Sequence, residues 1–110
     1  MTVENPRVVD FLGVDKQSGE VVLSISDHLG WDDGNSHLLA LQEKLNSYLA
    51  FVESGELLKE YPNGEGRRVR IDVVLKYRPS ATGKRFLENA QATVKAAGFA
   101  LEYRVHDDVN

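Results

Sequence analysis

Residues 67–77, RRVRIDVVLKY, decide the fold. Val69, Ile71, Val73, Leu75 and Tyr77 fall on one face, and Arg68, Arg70, Asp72, Val74 and Lys76 on the other. Alternation with a period of two predicts a strand that buries one face and leaves the other in water. Pro79-Ser80 ends that strand and opens a helix over 81–97, with Phe86, Leu87, Ala90, Val94 and Ala97 on its apolar side. Gly98 stops the helix, and FALEYRV (99–105) reads as a last strand with Leu101, Tyr103 and Val105 inward.

The pattern extends toward the N-terminus. VVDFLGV (8–14) and EVVLSIS (20–26) are strands joined by the turn 15–19, in which Gly19 supplies a positive φ, so they form an antiparallel hairpin. From 36 to 53, Leu38, Leu41, Leu45, Tyr48, Leu49 and Val52 recur at helical spacing. Asn35 or Ser36 can cap that helix, and Ser54-Gly55 ends it with Gly55 left-handed. Residues 56–61 read as a short extra turn and 62–66 as a loop. The order is β-β-α-β-α-β. Each strand and helix has a single apolar face, and right-handed crossovers place both helices on the same side. The expected fold is α+β: a two-layer sandwich of a four-stranded sheet with two helices on one face. The pattern leaves the pairing order of the strands open.

At 110 residues the chain is expected to be one domain over 1–110, with loosely held ends at about 1–6 and 107–110. With no cysteine it has no disulfide, thiolate metal site or cysteine nucleophile. No apolar run reaches the ~18–20 residues that span a bilayer, and the acid-containing start MTVENPR is unlike a secretory signal, so the expected location is cytoplasmic, with no membrane partner. The net charge of −4 is unevenly spread. Residues 1–66 hold 4 basic and 12 acidic side chains, whereas 67–105 hold 9 basic and 3 acidic.

Chemistry concentrates in the loop after the second strand. Asp27, His28, Trp31, Asp32, Asp33 and His37 lie within eleven residues, between the carboxyl end of a strand and the start of a helix. Asp with His suits zinc, manganese or non-haem iron, but no pair has strong ligand spacing, and the calcium-loop fragment from Asp32 lacks its twelfth-position glutamate. A histidine with an aspartate could also act as a general base, but no nucleophile elbow accompanies them. The plainer reading has Asp32 and Asp33 favouring a helix N-terminus, Asp27 capping a turn and Trp31 packing over the open sheet or the core edge. No cofactor is expected. A second candidate surface is the outer face of strand 67–77, with Arg68, Arg70 and Lys76. Nucleic acid would be drawn to such cations but would also need exposed aromatics, and Tyr77 and Tyr103 are expected on the apolar face. Pairing of the arginines with Glu20, Asp72 and Glu102 is the competing expectation.

Several segments carry a resemblance: Glu4-Asn5-Pro6, Val9-Asp10, Gly13-Val14-Asp15, Ser18-Gly19-Glu20, and Ile25-Ser26-Asp27-His28-Leu29 with Trp31. Together with Phe51 to Gly55, Tyr61-Pro62 and Val69 to Pro79, they resemble a family of small bacterial proteins of unknown function. Ser18 stands where that pattern has Thr. The resemblance spans nearly the whole chain and implies one compact domain, with 26–31 as a hallmark; it implies no activity. The overall expectation is a noncatalytic module that binds a protein partner, of immunity or regulatory type, with a homodimer also open. A small metal-assisted or histidine-based enzyme using the 27–37 loop is the alternative, and nucleic-acid binding through 67–78 the third.

Overall fold

The computed structural model describes residues 11–28, 30–31 and 36–105, and for Phe11 the backbone alone. The part of the first expected strand before Phe11, and both expected loose ends, lie outside the described residues. β1 (Phe11–Val14) and β2 (Val21–Asp27) form the hairpin, followed by α1 (Ser36–Glu53), a short α2 (Glu56–Glu60), β3 (Val69–Leu75), α3 (Ala81–Ala96) and β4 (Ala100–Val105). A 3-10 turn at Pro62–Gly64 joins α2 to β3. The fold is α+β in the order β-β-α-β-α-β, with α2 as a small addition.

The sheet order is β1-β2-β3-β4. β1 pairs antiparallel with β2, and β2–β3 and β3–β4 are parallel. The hairpin turn closes through Gly19, whose φ is 77° and whose N–H donates to the Asp15 carbonyl at 2.8 Å. Gly55 and Gly98, at φ 88° and 95°, end α1 and α3 in the left-handed conformation that a side chain would oppose.

Leu23, Ile71 and Leu101 stand side by side across the three parallel strands. They share a core with Val21, Ile25, Val73 and Leu75, with Leu41, Leu45 and Tyr48 of α1, and with Leu87 and Val94 of α3. Both long helices therefore pack on the same face of the sheet. Each fully buried Leu or Ile in that layer contributes roughly 1.5–3 kcal/mol. No described helix covers the opposite face, which carries Ser24, Arg70, Asp72, Val74, Glu102 and Arg104 in register.

Because β2 and β3 are parallel and each leads into a long helix, α1 and α3 both begin at the carboxyl ends of these strands. The Lys76 N–H donates to the Asp27 carbonyl at 2.8 Å, which ties the two strand ends together. Most of the residues of the expected loop site are brought to this end.

Candidate functional site

Asp27 is the last residue of β2 and faces inward, with a side chain 0% exposed. His37, in the first turn of α1, turns its ring toward it. His37 Nε2 lies 2.5 Å from Asp27 Oδ2, and His37 Nδ1 lies 3.0 Å from the Gly30 carbonyl oxygen. A carbonyl only accepts, so Nδ1 is a donor. One proton then lies between Nε2 and Oδ2. Whichever atom holds it, the pair is neutral as a unit, which lets it sit in the interior at moderate cost. Through His37, Asp27 anchors the N-terminus of α1.

Trp31 covers this pair. Its ring stacks on His37 with centroids 3.9 Å apart and planes at 37°. Its Nε1 donates to the Tyr77 carbonyl at 3.1 Å. It also lies against Gly83, in the first turn of α3, where an added Cβ would come within 2.4 Å of Trp31 Cε3. The Gly83 N–H is itself held by the Ser80 hydroxyl, the N-cap of α3, at 3.1 Å. Trp31 thus joins the start of α1, the start of α3 and the end of β3.

His28 is exposed. Asp32 and Asp33 lie outside the described residues, so the loop's carboxylates are not all placed. Among the described residues, no three His, Cys, Asp or Glu side chains are grouped to hold a metal ion.

The basic strand behaves differently at its two ends. Arg70, with a side chain only 15% exposed, donates to Glu20 at 2.8 Å and Asp72 at 2.9 Å and reaches Asp15 at 3.3 Å. Burial opposes its charge, but hydrogen bonding to Asp72 and the fields of Asp72, Glu102 and Glu20 outweigh it, and its guanidinium is held above the usual arginine range. Asp15 is held below the usual carboxylate range, chiefly by the Gln17 N–H that its Oδ1 accepts at 2.9 Å, with Arg70 adding to the effect. The expected internal pairing of Arg70 with Glu20 and Asp72 is present, and Asp15 joins it. Arg68 is exposed.

At the other end the expectation for Tyr77 is overturned. It lies past the end of β3 and is 48% exposed, with Lys76 Nζ 5.6 Å from its ring centroid. The strand ends two residues before the expected Tyr77, because the chain leaves the sheet ahead of Pro79. Tyr103 is half-buried against the core.

Sequence reasoning missed Gly83 as the seat of Trp31 and Lys44 as a fully buried lysine. Lys44 packs with Nζ 5.5 Å from the Tyr48 ring centroid, and the Tyr48 hydroxyl donates to the Ser24 carbonyl at 2.8 Å. The signal for Lys44 was its position, three after Leu41 and four before Tyr48, on the apolar stripe itself.

The profile of a family of unknown function, DUF6572, matches residues 1–107. The chain belongs to that family. No curated protein and no solved structure matches it. In this member Asp27 and Trp31 build the junction between β2, α1 and α3. Among the described residues, no helix is long and apolar enough to cross a membrane.

Proposed function

We propose that this DUF6572 member is a noncatalytic module that binds a protein partner through the end of the molecule where α1 and α3 begin. The observation that carries the reading is the exposure of Tyr77 where its backbone is tied to the Trp31 junction. The residue is 48% exposed while its carbonyl is held by Trp31. Leu39, 62% exposed in the opening turns of α1, adds a large apolar side chain at the same end. An aromatic side chain on a pre-ordered backbone loses little freedom when it is buried by a partner, which is how interface anchors supply most of their affinity.

Catalysis by the Asp27–His37 pair is disfavoured by its surroundings. Nδ1 faces a carbonyl, Nε2 faces the carboxylate, and Trp31 covers the ring, so neither nitrogen is presented to a substrate. An immunity or regulatory role is compatible with such a module.

The test is capture of partners from the native cell extract by the full chain at native expression level. A partner retained by wild type and by Arg68→Ala, but lost with Tyr77→Ala, supports the reading. Equal retention by wild type and Tyr77→Ala overturns it. Tyr77→Ala is the informative variant because Trp31→Ala would remove the junction itself.

A further inference from the structure

We propose that the surface around Tyr77 receives an acidic segment of the partner protein, an inference that rests on the protein-binding reading above. From Lys76 to Leu87 the chain carries Lys76, Arg78, Lys84 and Arg85 and no acidic residue. All four cations are exposed. Among the described residues none of the four enters an ion pair, whereas Arg70 engages three carboxylates. Among the described residues, Arg70 is thus neutralised on the sheet face, while Lys76, Arg78, Lys84 and Arg85 stand without an ion pair along the segment that carries the exposed Tyr77.

The backbone that carries them is fixed. The Lys76 N–H is bound to Asp27, the Tyr77 carbonyl to Trp31, and the Lys84 N–H to the Ser80 carbonyl in the first turn of α3. Four positive side chains on such a frame favour negative charge, and the amino end of α3 adds to the same potential. Tyr77 supplies apolar contact next to Lys76, whose Nζ lies 5.6 Å from its ring centroid.

The occupant is a short acidic peptide segment rather than nucleic acid. A phosphate chain needs a long basic track and a succession of stacking rings. Here the protein is acidic as a whole, and the open sheet face sets Asp15, Glu20, Asp72 and Glu102 around Arg70. The basic surface is confined to one loop and the start of one helix. A few carboxylates flanking an apolar side chain match that extent.

The experiment uses the full chain and two labelled probes read by fluorescence anisotropy: a decapeptide of alternating Glu and Leu, and an oligothymidylate. The decapeptide is expected to bind, and the Lys84→Glu/Arg85→Glu variant to weaken it at least about tenfold, as close charge pairs across interfaces do. Arg68→Glu, an exposed cation at the start of β3, is expected to leave it within about twofold. Both variants change exposed side chains, and an unchanged melting temperature confirms their folding. No binding of the decapeptide, or an equal loss with Arg68→Glu, overturns the proposal. Tighter binding of oligothymidylate that is lost in the Lys84→Glu/Arg85→Glu variant also overturns it and assigns the surface to nucleic acid. The two readings fail separately. A captured partner lost with Tyr77→Ala but retained by Lys84→Glu/Arg85→Glu leaves protein binding standing and removes the acidic occupant.

Discussion

The six-membered ring of Trp31 fills the space that a side chain on Gly83 would need, with Cε3 only 2.4 Å from where a Cβ would stand. That relationship binds a loop to a helix through an absent side chain. Two effects compete at this position. Alanine favours an exposed helix over glycine by about 1 kcal/mol, while overpacking costs about 1–3 kcal/mol. The collision is with a ring already held by Tyr77 and His37, so overpacking wins. Gly83→Ala is expected to destabilise the protein by on the order of 1 kcal/mol in urea unfolding and to shift the emission of Trp31, the only tryptophan. A stabilised variant with unchanged emission would show that the ring does not sit there.

Arg70 holds Asp15, Glu20 and Asp72 together on the open sheet face. Replacing it with Met leaves three carboxylates facing one another around an apolar chain. Arg70→Met is expected to lose about 2 kcal/mol, in line with hydrogen bonds to charged groups. Part of that loss is repulsion, so the gap from wild type should narrow in ~1 M salt, where the screening length is ~3 Å. Urea unfolding at low and high salt measures both. A gap that widens with salt would contradict this description of the cluster.

Acid should act through Asp15. Its pKa in the folded protein lies below the usual carboxylate value of 3.8, so its charged form stabilises the fold above the unfolded pKa, and that contribution is lost as the pH falls through the folded value. Asp15→Asn cannot titrate. The melting-temperature difference between wild type and Asp15→Asn is therefore expected to be constant from neutral pH to about 5 and to shrink below about 3.8. A difference that grows as the pH falls through that window would reverse the sign argued here.

Much of this architecture was legible in the residues. The alternation in Val69–Leu75, the stripe from Leu41 to Tyr48 and the glycines at 19, 55 and 98 each express a local rule, and the structure obeys them. The sheet order was not legible, because pairing joins residues far apart, such as Leu23 and Ile71, with no local mark of the partnership. The candidate loop was legible as a concentration of Asp, His and Trp, but not as a junction. Its geometry depends on Gly83, some fifty residues away, which has no side chain to advertise a contact. Tyr77 was misplaced because alternation describes a strand and says nothing about where the strand ends. Lys44 sat on the apolar stripe in plain view, yet its charge argued for the surface more strongly than its position argued for the core.

The junction depends on Asp27 and His37 forming a buried structural pair. A double-mutant cycle with Asp27→Ala, His37→Ala and the combination, followed by urea unfolding, measures that directly. Removing one member leaves the other buried without it, so each single change is expected to cost roughly 3 kcal/mol or more. The double change should cost less than their sum by at least about 1.5 kcal/mol. Single changes that leave stability near wild type and add within about 0.5 kcal/mol would contradict the account and return this histidine to the list of groups free to do chemistry.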